Sequence, residues 1–92
     1  MNKKISVIGM GYVGCANGLM LSKRLNVSMM DIDQKKVNNF NNNSKLPIYD
    51  PFAQQYFENE KDNLNIHATT DLLESIHGSS FVLLCLPTNF DE

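Results

Sequence analysis

Two kinds of block alternate along this chain. Short β-rich runs stand at 4–8 (KISVI), 27–31 (VSMMD), 64–68 (LNIHA) and 81–86 (FVLLCL). Between them lie longer stretches whose apolar residues recur at three- and four-residue intervals, the spacing of a helix face. Over residues 12–24 that spacing picks out Val13, Ala16, Leu19 and Met20, with Leu25 just beyond. Met20, Met29 and Met30 read as core filler. Lys23 and Arg24 suit the end of this helix, where cations complement the dipole, and Asn26 suits its stop. DQKKVNNF predicts a second helix capped by Asp33, and the asparagine-rich stretch NNFNNNSKLP reads as the loop that follows. Asp50 and Pro51 predict the start of a third helix, in which Phe52 pairs with Tyr56 and Ala53 with Phe57 at i,i+4. Asp71 and Glu74 are spaced as a capping box, with Gly78 as the stop. The last run, 81–86, is continuously apolar, which predicts a strand buried on both faces.

The order is therefore β-α-β-α-α-β-α-β. Strands alternating with helices predict an α/β fold: a partial Rossmann domain, doubly wound, with about four parallel strands in the order 3-2-1-4 and helices on both faces. Within that frame the stretch SVIGMGYVG, residues 6–14, places Gly9, Gly11 and Gly14 where a strand hands over to a helix. In the pattern G-x-G-x-x-G each glycine has its own task. Gly9 permits the tight turn, Gly11 lets a pyrophosphate approach the backbone, and Gly14 lets the helix pack closely on the strand. The free amides of the first helical turn then face an anion. Asp31 ends the second run, 22 residues after Gly9, where a carboxylate can accept hydrogen bonds from a ribose diol. A carboxylate also repels a 2′-phosphate, so NAD is favoured over NADP; Lys36, just beyond, flanks the ribose or partly offsets Asp31. In a 3-2-1-4 sheet, strands 1 and 4 part at the carboxyl ends, and ligands bind in the crevice there. Leu86, Pro87 and Thr88 belong to that crevice. Tyr12 contributes its backbone, with its ring over the site or a neighbouring domain.

Composition narrows the alternatives. Ninety-two residues suffice for one small domain. The net charge is −2 and the eight basic residues are scattered, so no basic stripe for nucleic acid is present. No apolar run reaches membrane-spanning length. The opening MNKKISVIGMG is too short and too broken by glycine for a signal peptide, and a cytoplasmic setting follows as the default. Cys15 and Cys85 have neither metal-site nor disulfide spacing and read as small buried hydrophobes. His67 and His77 have no partner at useful spacing and read as surface residues, and Gly18 reads as a helix-packing position.

The stretches ISVIGMGYVG, VSMMDIDQKKV, LPIYDP, IHATTD and LCLPTNFD together resemble the amino-terminal region of the UDP-glucose 6-dehydrogenases, in the UDP-glucose/GDP-mannose dehydrogenase family. The match runs over essentially the whole chain in the family's order. GYVG and PIYDP favour the UDP-glucose branch. The resemblance implies an NAD pyrophosphate held over Gly9 to Gly14, with the amides of Tyr12 and Val13 as donors. It implies Asp31 and Lys36 at the adenosine ribose, and Pro87 and Thr88 on the path to the nicotinamide ribose. Two positions depart from the family: Leu86 stands where a small or hydroxylated residue is usual, and Cys15 where leucine is common.

The reaction implied is oxidation of a C6 alcohol to a carboxylate by two hydride transfers, through a cysteine nucleophile with lysine, aspartate and glutamate helpers. Those residues lie beyond the matched region, so residues 1–92 are expected to be the amino-terminal part of an NAD-binding domain and inactive alone, with the UDP-sugar a substrate of the full-length parent only. A fourth strand left as an apolar edge predicts homodimerisation or edge-to-edge association. Three other readings remain at this point: another nucleotide-sugar dehydrogenase of the same family, a non-catalytic module sensing NAD or ATP, and a ligand-free interaction module.

Overall fold

The computed structural model describes residues 3–85. Four strands alternate with helices: β1 (Lys4–Ile8), α1 (Tyr12–Leu21), β2 (Asn26–Met30), α2 (Gln34–Asn43), α3 (Pro51–Glu60), β3 (Ile66–Thr69), α4 (Leu72–Ile76) and β4 (Phe81–Leu84). A 3-10 turn, Lys61–Asn63, leads from α3 toward β3. All strand pairs are parallel and the order is β3-β2-β1-β4, as the pattern of runs predicts. Ile8 is level with both Met30 and Leu84, and Met30 with Thr69. The carboxyl ends of all four strands therefore lie together, and the glycines and Asp31 follow directly from two of them.

The two faces of the sheet differ in chemistry. Side chains alternate along a strand. On one face Ile5, Val7, Val27 and Met29 join Cys15 and Leu19 of α1, Val37 and Phe40 of α2, and Phe57 of α3 in the apolar core. Phe40 stacks on Phe57 at 4.7 Å, which fastens α2 to α3. On the other face Ser6 and Ser28 meet Ser75 of α4: the Ser6 and Ser75 hydroxyls are 2.7 Å apart, and Ser28 donates to Ser75 at 3.1 Å. All three serines are fully buried and their hydroxyls satisfy one another. Lys4 binds the end of α4 from the same side, donating from Nζ to the carbonyls of Glu74 and His77.

The local caps follow the sequence closely. Asp33 accepts from Lys35 N–H, Asp50 from Phe52 and Ala53 N–H, and Asp71 from Glu74 N–H. Glu74 does not close a reciprocal capping box; its carboxylate accepts from Thr69 Oγ1, which itself accepts from Asp71 N–H. Gly78 turns the chain with φ 76°.

Four expectations are corrected. The buried face of α1 is Gly14, Cys15, Gly18 and Leu19, while Val13 and Ala16 face outward and Met20, read as core filler, is 65% exposed. Closeness decides this, because the face carrying Gly14 and Gly18 can approach the sheet most closely; a Cβ on Gly18 would stand 2.8 Å from Met29 Sδ. The helix also stops earlier than Arg24, with Ser22 at its C-cap, and Lys23 pairs with Glu60 of α3 at 3.5 Å. The asparagine-rich stretch is not all loop: α2 continues through Asn43, braced by side-chain bonds Gln34–Asn38 and Asn43–Asn39, and ends at Ser44 with φ 53°. Finally, β4 is not buried on both faces. Phe81, Val82, Leu83 and Leu84 are all exposed, and β4 is instead the apolar edge strand that the order 3-2-1-4 predicts. The opposite edge is finished: Asn41 donates to Ala68 O at 2.8 Å and accepts from Ala68 N–H at 2.9 Å, occupying the outward groups of β3.

Candidate functional site

The turn after β1 is built by two glycines that the fold requires and one that it does not. Gly9 has φ 109°, a left-handed conformation that favours glycine, and its N–H donates to Met30 O at 2.8 Å. A Cβ on Gly14 would run into the carbonyl oxygen of Gly9, with no flexible side chain to give way. Gly11 is different. Its φ of −96° suits any residue, and a Cβ there would meet nothing within 4 Å. Among the described residues the space over Gly11 is open, and a ligand brought against the backbone would fill it.

The same place collects donors that have no partner among the described residues. Gly11 is the N-cap of α1 and no side chain caps the helix. The first intrahelical bond runs from Cys15 N–H to Gly11 O at 2.9 Å, so the amides of Tyr12, Val13 and Gly14 precede the helical ladder. With the positive end of the helix dipole they form a ready receptor for a diphosphate. The chemistry and the room both fit a dinucleotide pyrophosphate.

Asp31 leaves β2 aimed at this turn. Its Oδ2 accepts from Met10 N–H at 3.0 Å and its Oδ1 from Asp33 N–H at 2.9 Å. Met10 is fully buried, so the carboxylate holds the glycine turn from one side while its own loop holds the carboxylate. An ionised carboxylate offers about four acceptor positions, leaving capacity for a sugar diol. Lys36, in the first turn of α2, places Nζ 3.9 Å from Asp31 Oδ2. Gly9, Gly11, Tyr12, Val13, Gly14, Asp31 and Lys36 are thus brought together; Leu86, Pro87 and Thr88 lie outside the described residues.

Cys15 sits behind the turn, fully buried and free of any disulfide. Burial pushes its thiol up to about 12; Lys36 lowers it a little and Asp31 raises it. At neutral pH it is a protonated packing group rather than a nucleophile. Among the described residues no cluster of three or more His, Cys, Asp or Glu is placed to hold a metal ion. No helix among them is long and apolar enough to cross a membrane. The concavity of about 540 Å³ at the amino ends of the strands, lined by Lys4, Asn26 and His67, has no comparable run of free amides.

Two features of the site have no signature in the sequence pattern. One is the Asp31–Met10 bond, which uses a backbone amide. The other is the reach of Tyr12, whose hydroxyl bonds the backbone of Tyr49, 37 positions away.

Residues 3–92 match the family model described as the UDP-glucose/GDP-mannose dehydrogenase family, NAD binding domain. A UDP-glucose 6-dehydrogenase from Campylobacter jejuni is 36% identical over 91 residues, covering 97% of this chain and 22% of the relative. A GDP-mannose 6-dehydrogenase from Pseudomonas savastanoi pv. phaseolicola is 31% identical over 87 residues, covering 92% and 19%. Among solved structures, the UDP-N-acetyl-mannosamine dehydrogenase Cap5O from S. aureus superposes with a TM-score of 0.81 at 25% identity, covering 98% of this chain and 21% of that one. The chain spans about a fifth of the length of these relatives.

Proposed function

The chain belongs to the UDP-glucose/GDP-mannose dehydrogenase family as its NAD-binding region, and from that premise we propose that it serves the oxidation of UDP-glucose to UDP-glucuronate, with two NAD reduced. NAD supplies the hydride acceptor. The chain's own residues bind and orient it. Gly9, Gly11 and Gly14 shape the floor of the pyrophosphate site, and the amides of Tyr12 and Val13 donate to the phosphate oxygens. Asp31 accepts from the adenosine ribose diol with Lys36 beside it, and the family resemblance assigns Pro87 and Thr88, which lie outside the described residues, to the nicotinamide-ribose side. The observation that carries this reading is the open space over Gly11, bounded by uncapped amides and by the Asp31 carboxylate.

Residues 1–92 are read as the amino-terminal part of the NAD-binding domain, with the sugar-oxidising residues elsewhere in the parent protein. The apolar edge of β4, unpaired among the described residues, supports that division, because such an edge calls for a covering strand. Calorimetric titration with NAD, NADP, ATP and UDP-glucose tests the cofactor reading. Binding of NAD well ahead of the other three is expected; preference for ATP, or no binding at all, contradicts it. The substrate has a second reading, GDP-mannose, favoured by relatives of that name at 31% identity. Turnover of the full-length parent on each sugar nucleotide decides between them.

A further inference from the structure

Tyr12 occupies two places at once. Its amide is one of the uncapped donors at the start of α1, while its side chain reaches across to the backbone of Tyr49 at the border of the site. The phenol hydroxyl donates to Tyr49 O at 3.0 Å and accepts from Tyr49 N–H at 3.3 Å. One hydroxyl thus satisfies both backbone groups of one residue, as a neighbouring strand would. The Tyr12 ring is 58% exposed, so packing does not explain its placement. Among the described residues this is the hydrogen-bonded tie between the glycine turn and the segment 44–50.

That segment is anchored at both ends, and between the anchors Tyr49 is held by its two hydrogen bonds with Tyr12. Gln54 fixes its start, accepting from Leu46 N–H at 2.9 Å and donating to Ser44 O at 2.8 Å. Leu46 is buried. At its far end Asp50 caps α3. Pro47, Ile48 and Tyr49 form one wall of a concavity of about 380 Å³ whose other wall is Lys35, Lys36 and Asn39 of α2. Lys36 is the residue paired with Asp31. The segment therefore borders the candidate site at two points: through the Tyr12 hydroxyl at the pyrophosphate end, and across this concavity at the ribose end. Its own ring, Tyr49, and that of Phe52 in the first turn of α3 are among the most exposed large side chains of the described residues.

We propose that Tyr12 is a positioning residue that couples dinucleotide occupancy to the order of residues 46–50. This rests on the cofactor reading above. A ligand that takes the Tyr12 amide restrains the Tyr12 backbone, and the hydroxyl passes that restraint to the peptide groups of Tyr49. By linkage the reverse holds as well: an anchored segment 46–50 presets the Tyr12 amide for the ligand.

Amide hydrogen exchange of this chain, read residue by residue with and without NAD, tests the coupling in the native protein, in Tyr12→Phe and in Tyr49→Ala. Tyr12→Phe keeps the exposed ring and removes only the hydroxyl. In the native chain NAD is expected to slow exchange in Gly9–Gly14 and also at Ile48 and Tyr49. In Tyr12→Phe the protection of Gly9–Gly14 persists, that of Ile48 and Tyr49 is lost, and NAD affinity falls about threefold to tenfold, the worth of one ordinary hydrogen bond. Tyr49→Ala retains the coupling, because the bonds are to the main chain. A merely structural hydroxyl would shift the exchange of Tyr49 equally with and without NAD. Protection of Gly9–Gly14 without protection of Tyr49 in the native chain, or equal NAD-dependent protection of Tyr49 in Tyr12→Phe, overturns the coupling alone. Absence of protection in both stretches overturns the cofactor reading and the coupling with it.

Discussion

The two sides of the glycine turn present opposite surfaces made from the same residue type. On the side facing the sheet, Gly9 and Gly14 are in contact so close that no Cβ fits between them. On the side facing outward, none of the described residues stands above Gly11, and its backbone angles suit any amino acid. Glycine is thus architectural on one side, whereas on the other it answers to something the protein does not itself supply. The contrast separates fold from function inside six residues, and it makes the two roles independently testable.

The largest effect is expected on the packed side. Gly14→Ala sets a methyl group against the Gly9 carbonyl, an overpacking that costs about 3 kcal/mol. In a domain of this size that lowers Tm by about 12–24 °C in a thermal unfolding scan. An unchanged Tm would show that the turn can relax and that the packed side is not packed.

On the open side the stability and binding effects should part. Gly11→Ala exchanges one N-cap residue for a poorer one, so Tm moves by only a few degrees. The added methyl stands in the ligand's space, and NAD affinity falls about 30-fold, roughly 2 kcal/mol of overpacking against the ligand. Calorimetry and the thermal scan on the same sample give both numbers. A large loss of Tm, or undiminished NAD binding, erases the distinction between the sides.

Asp31 sharpens the comparison from the flank. Asp31→Asn keeps an oxygen for one of the two amides now bonded to the carboxylate and removes the charge. NAD is expected to bind about tenfold more weakly, as for loss of a charged hydrogen bond, and the preference for NAD over NADP to narrow because the 2′-phosphate is no longer repelled. Parallel titrations with the two cofactors read this. An unaltered NAD/NADP ratio would place Asp31 outside the ribose contact.

The smallest effect concerns Cys15, directly beneath the packed side. Burial keeps its thiol protonated in the folded chain up to about 12, whereas the unfolded thiol ionises from about 9. The unfolded state therefore releases its proton first, and stability declines as pH rises from 9 toward 12. By pH 10 this group accounts for about 1 kcal/mol. Denaturant unfolding at pH 8 and pH 10 should show a shallower decline in Cys15→Ala than in the native chain. Equal declines would mean that the thiol is hydrated and the packed side loose.

What could be read without coordinates was local or tied to a motif. The caps Asp33, Asp50 and Asp71 act on amides two or three positions away, so their residue types announce them. The strand order follows from the alternation of runs and the glycine turn. What failed depended on neighbours distant in the chain. Bulk at Val13 and Met20 pointed to the wrong face of α1, because the sheet selects the side that can come closest. Asparagines at 38–43 suited a turn by propensity, yet Asn41 is drawn into a helix that lets it close the edge of β3. The apolar run at 81–84 suits a strand buried on both faces, and it was the strand order, not the run itself, that made its exposed edge legible. At the site, Asp31 was legible as an acidic residue ending the second strand. Its bond to Met10 N–H and the Tyr12–Tyr49 tie were not, since neither leaves a residue-type signature.

The most direct test of the central claim is a map of amide chemical shifts as NAD is added to this chain. The expected result is saturable change centred on Gly9–Gly14, with the largest displacements at Tyr12 and Val13 and a second group from Asp31 to Lys36. Changes clustered instead at Lys4, Asn26 and His67, at the opposite end of the sheet, with the glycine turn undisturbed, would contradict it.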